Sequence, residues 1–177
     1  MKEKYNILYK QHEQLKIKLF AELQMHSDEV INKKPSAEAW SVADIIAHLI
    51  AGEEYVFNYV SKKIKEGKSG SKTGFLAQAK RNVLKIAFAL PIKFKVPKSV
   101  APVTGYTTLK DLEAKWESAS KAMHNLLNSL EESEFNKDIW KHPRVGKINF
   151  VQMIDFSIDH FKRHEKQIKR TLMSLGK

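Results

Sequence analysis

The sequence predicts an all-α protein built as a four-helix bundle, and three observations predict it. Four long segments carry apolar residues every three or four positions, the period of an amphipathic helix. The 177 residues include only 7 Gly and 5 Pro, too few punctuating residues for a many-stranded β protein. Three of the segments open on a residue that caps helix N-termini, with an acid or amide three positions on.

The first segment runs from about Lys4 to Ile31, with Leu8, Leu15, Leu19 and Leu23 at helical spacing and Pro35 beyond its end. The second starts at Ser41, with Asp44 as the partner of a capping box. It continues through Ile45, Leu49, Val56 and Val60 to about Lys65, where Gly67, Gly70 and Gly74 mark a break. The third starts near Thr108, with Asp111 three on, and runs through Leu112, Trp116, Ala119 and Met123 to about Leu130. The fourth starts near Asn149, with Gln152 three on, and runs to about Leu175, before Gly176. Residues 72–107 join the second and third helices. There Leu76, Ala79, Val83, Ile86 and Leu90 predict a short extra helix closed by Pro91, followed by an extended stretch bracketed by Pro97 and Pro102. A connection this long permits the two helices it joins to run parallel. The whole chain, residues 1–177, is expected to form one domain.

Composition narrows the class. The chain has no cysteine, which excludes disulfides and thiolate ligands and points to an intracellular, cytoplasmic address. Met1–Tyr5 lack a signal peptide's apolar stretch, and no apolar run is long enough for a transmembrane segment. The net charge of +11 is concentrated. Residues 62–98 hold 11 Lys and Arg against one acid, Glu66, whereas the remainder holds 20 against 19. This pattern is a nearly neutral body with a basic insert, not a global nucleic-acid face. The insert has three readings: a solvated connector, a rim that attracts an anionic substrate, or a surface for nucleic acid or anionic lipid, with Lys80, Arg81 and Lys85 on an interfacial helix.

Three histidines carry the chemistry. His160 and His164 stand four apart, on one helix face, and can grip one ion together. On the fourth helix Phe150, Ile154, Ser157, Phe161, Ile168, Leu172 and Leu175 form the centre of the apolar stripe. Met153, His160, His164, Gln167 and Thr171 form a row beside it, away from Asp155, Asp159, Lys162 and Lys166. On the second helix His48 lies to one side of the stripe of Ile45, Leu49, Gly52 and Val56. Both histidine rows therefore flank the core, where a cleft between helices opens. The competing reading of such a pair is two partly buried imidazoles bonded to carbonyls or carboxylates. Three imidazoles would leave a coordination position open, as a catalytic metal requires. Zinc and nickel suit imidazole best, and iron, cobalt and manganese are possible.

Other residues near these rows are candidates of a second order. Gln167, one turn from His164, is placed to orient a water or a substrate, or is a polar flank residue. Tyr55 and Tyr59 are placed to supply a proton, line the cleft or pack in the core. His142, in a loop before Pro143, is a candidate for the site's rim or a fourth ligand. Trp40 reads as a packing anchor at its helix start. His12, His26 and His124 read as structural or surface residues, and Glu53 and Glu54 are expected to be exposed.

At Trp40-Ser41 opening a helix that carries His48, at His142-Pro143-x-x-Gly146, and at His160-x-x-x-His164-x-x-Gln167-Ile168, the chain resembles the DinB/YfiT-like metalloenzyme family. Order and spacing fit along nearly the whole length. The resemblance implies an up-down-down-up bundle, often a homodimer, with a divalent metal held by His48, His160 and His164. Family members with assigned activities include transferases and isomerases that use low-molecular-weight thiols, and some are called hydrolases. The expected function is thus metal-dependent chemistry on a small molecule, by thiol transfer or hydrolysis. The alternative is a noncatalytic, stress-related binding protein that uses the bundle or its basic insert.

Overall fold

Each cap foreseen in the sequence begins a helix in the computed structural model, which describes residues 1–67, 70, 79, 81–83, 85, 101, 105–142 and 146–176. Helix α1 spans Lys2–Leu23 and a short α2 spans Asp28–Asn32. Helix α3 spans Val42–Lys65, α4 Leu109–Asn128 and α5 Phe150–Leu175. The Ser41 hydroxyl accepts from the Asp44 backbone N–H while the Asp44 carboxylate accepts from that of Ser41, each at 3.0 Å. Asn149 and Gln152 repeat this arrangement at the head of α5. Both boxes satisfy N–H groups that a helix start otherwise leaves unpaired.

The direction of the helices follows from which ends share a core. One cluster joins Leu19 and Leu23 of α1, Val42, Ile45 and Leu49 of α3, Leu109 and Leu112 of α4, and Phe161 and Ile168 of α5. The other joins Tyr5, Val60, Leu127, Phe150 and Ile154. The late part of α1 and of α5 therefore lies beside the early part of α3 and of α4. The bundle is up-down-down-up, and α3 and α4 run parallel, as the long connection between them allows.

Four details depart from the sequence reading. The first segment is not one helix. It breaks after Leu23 and restarts at Asp28, because Asp28 and Asn32 turn inward to bond Leu109 N and Thr107 O and tie α2 to the head of α4. The stretch before α5 is not a plain loop. It holds a 3-10 turn, Glu132–Asn136, and a hairpin of β1, Trp140–His142, with β2, Gly146–Ile148. His142 ends β1 opposite Gly146, whose φ of 84° is open to glycine at little cost.

Glu53 is not a solvent-facing acid. It accepts from Trp116 Nε1 at 2.8 Å and from Ser120 Oγ at 3.0 Å, beside buried His12 and Lys16. Nor does Asp159 face open water. In the connection Ala79, Arg81–Val83 and Lys85 are helical, and Arg81, 1% exposed, donates to Asp155 at 2.8 Å and Asp159 at 2.5 Å. Arg81 thus covers a side of α5 that a four-helix count leaves bare. Pro91, Pro97, Pro102 and Lys80 lie outside the described residues.

Candidate metal centre

Helix periodicity and one interhelical contact assemble the site. His160 and His164 share a face of α5, and their Nε2 atoms approach to 3.1 Å. His48, seven residues from the Ser41 cap, comes in from α3 with its ring centroid 5.3 Å from His160 and 4.9 Å from His164. One potential ligand nitrogen from each of the three lies within 4.8 Å of the other two. These are the three residues marked in the sequence. They are less marginal than their place beside the stripes suggested: His48 and His164 are buried, and His160 is partly so.

The donor set fits a divalent ion. Two nitrogens about 2.0–2.1 Å from one ion, at 90–110° to each other, stand roughly 2.9–3.4 Å apart. The His160–His164 separation falls within that range. All three ligands are imidazoles, and imidazole binds a metal in its neutral form. Burial pushes the His164 ring down to about 4, helped by His48 and Arg163 and opposed by its bond to Gln167. Burial likewise holds His160 well below the ordinary histidine range, with His164, His48, His142 and Arg163 adding to the effect. Both rings are therefore uncharged at neutral pH and have lone pairs to give. The cluster could hold a divalent ion.

Aromatic rings set the walls. Trp40 lies 5.2 Å from His48, and Phe156 stacks on His160 at 5.6 Å. His142 packs against Phe156 at 4.6 Å and stands outside the three-ligand group. The loop reading of His142 missed that Trp140, His142 and Ile148 alternate inward along a hairpin, a period-2 signal over very few residues. Gln167 meets His164, its Oε1 2.9 Å from Nδ1. Tyr55, two turns along α3 from His48, is 43% exposed, and Tyr59 is partly buried beside Lys63. Of the remaining histidines, His12 is buried, His26 is exposed, and His124 stacks on Tyr9 with ring centroids 4.0 Å apart.

The molecule is thus an up-down-down-up helical bundle in which three imidazoles that could hold a metal ion converge between the second and last long helices. The chain belongs to the DinB superfamily, whose family profile matches residues 8–168. It is also similar to the uncharacterized protein YuaE of Bacillus subtilis, at 25% identity over 154 residues, 87% of this chain and 90% of that one. No solved structure matches it. No helix of the described residues is long and apolar enough to cross a membrane.

Proposed function

We propose that this protein is a metal-dependent enzyme acting on a small molecule, with one divalent ion held by His48, His160 and His164. The observation that carries the reading is the convergence of three imidazoles from two helices on one point. An ion bound by imidazoles alone keeps its full positive charge, and when bound it would lower the pKa of water or of a thiol toward neutrality. The chain's own contribution is to hold the rings in place between Trp40 and Phe156. With no cysteine in the sequence, a thiol for S-transfer would have to come with a low-molecular-weight cosubstrate. Membership of the DinB superfamily supports thiol transfer or hydrolysis as the reaction.

The test is metal analysis of protein purified without a histidine tag, followed by titration with zinc, nickel and manganese. About one ion per chain is expected, given three convergent ligands. Failure to bind any of the three would overturn the reading and leave the noncatalytic alternative. A screen of the loaded protein against thiols and electrophiles would then identify the reaction.

A further inference from the structure

Gln167 sits one turn beyond His164 on the same helix, at a spacing where side chains meet. Its oxygen, Oε1, lies 2.9 Å from His164 Nδ1, and His164 Nε2 lies 3.1 Å from His160 Nε2. These two contacts form a short chain through one imidazole. A neutral imidazole has one N–H and one lone pair, so the partner of one nitrogen decides the state of the other.

We propose that Gln167 is a positioning residue that holds His164 as its Nδ1–H tautomer. With the proton spent on the Gln167 oxygen, the Nε2 lone pair is left facing His160, at the point where the three histidines converge. The inference deepens the metal-centre reading and rests on it for its purpose, although the tautomer itself needs no metal. A Gln167 amide turned the other way would donate to Nδ1 and force the proton onto Nε2, where it would obstruct an ion. Without the metal, His160 satisfies the lone pair by donating its own Nε2–H. Outer-sphere partners of this kind typically affect metal affinity by roughly 10–100-fold. The role differs from orienting a water or a substrate, because it acts through His164.

The experiment reads the His164 tautomer by long-range ¹⁵N–¹H correlation in metal-free protein at pH 7.5, and zinc affinity by competition with a chelator. The parent is expected to show Nδ1–H. Gln167→Glu, whose carboxylate can only accept, should keep that tautomer and bind zinc within a few-fold of the parent. Gln167→Leu, similar in size but without a polar group, should lose the single tautomer and bind zinc about 10–100-fold more weakly. An Nε2–H tautomer in the parent would overturn the proposal, as would a leucine variant unchanged in both tautomer and affinity. A parent with a Gln167-dependent Nδ1–H tautomer that binds no zinc would sustain the positioning role and overturn the metal-centre reading.

Discussion

At the scale of single residues, the site depends on imidazoles kept neutral by burial. His48→Ala, His160→Ala and His164→Ala should each weaken zinc binding by more than the roughly 10–100-fold expected of an outer-sphere change. Circular dichroism should show helical content close to that of the parent, because none of the three makes a helix cap. His124→Ala, which removes a ring stacked on Tyr9, is the control and should leave zinc affinity unaltered. Equal affinity in all four variants would refute the ligand assignment. The candidate ligands were legible in the sequence because spacing on a helix places side chains almost without reference to the rest of the fold. The environment was not. That His48 and His164 are buried depends on how far neighbouring helices close over the flanks of each stripe, which periodicity on one helix cannot measure.

At the scale of elements, the caps at Ser41, Thr108 and Asn149 were readable, because in each the cap side chain accepts from the backbone N–H only three residues on. The clamp on α5 was not. Arg81, grouped with Lys80 and Lys85 as surface charge, is buried between Asp155 and Asp159. Its pairing is therefore structural, and it is unavailable to steer an anion. Arg81→Ala should destabilise the protein by about 1–3 kcal/mol. That is less than the 3–5 typical when a fully buried pair loses one partner, because Asp155 remains a third exposed. Arg81→Lys should recover part of the loss, since both carboxylates meet one guanidinium nitrogen, Nη2, and an ammonium can supply that charge on a shorter side chain. Urea unfolding measures both. An unchanged midpoint for Arg81→Ala would mean that the clamp contributes nothing to stability.

At the scale of the whole molecule, acid should loosen the bundle through His12. Burial pushes its pKa down to about 4, opposed by Glu53 of α3 and reinforced by Lys16 of its own helix, while Phe161 of α5 meets its ring edge. The ordinary value near 6.5 applies to the unfolded chain, which binds more protons between pH 6.5 and 4. The contribution to stability is thus full above pH 6.5 and disappears as the pH falls to about 4. At 1.36 kcal/mol per pH unit it amounts to roughly 3 kcal/mol. In metal-free protein His164 titrates in the same direction and window. Unfolding free energy measured against pH should therefore fall across this range, and less steeply in a His12→Gln variant. Identical slopes would refute the role of His12.

The sequence by itself determined the starts of α3, α4 and α5 and the pairing of His160 with His164 on one helix face, since each depends on residues within a turn or two of one another. Only the tertiary structure decided that Glu53, His12, Lys16, Trp116 and Ser120 form a buried polar network among α1, α3 and α4. It likewise decided that Arg81 closes onto α5 and that a hairpin brings His142 beside Phe156. The physical reason is the same in each case. A charged or polar side chain can be buried when a partner far along the chain satisfies it, and no local pattern records which partner the packing will bring.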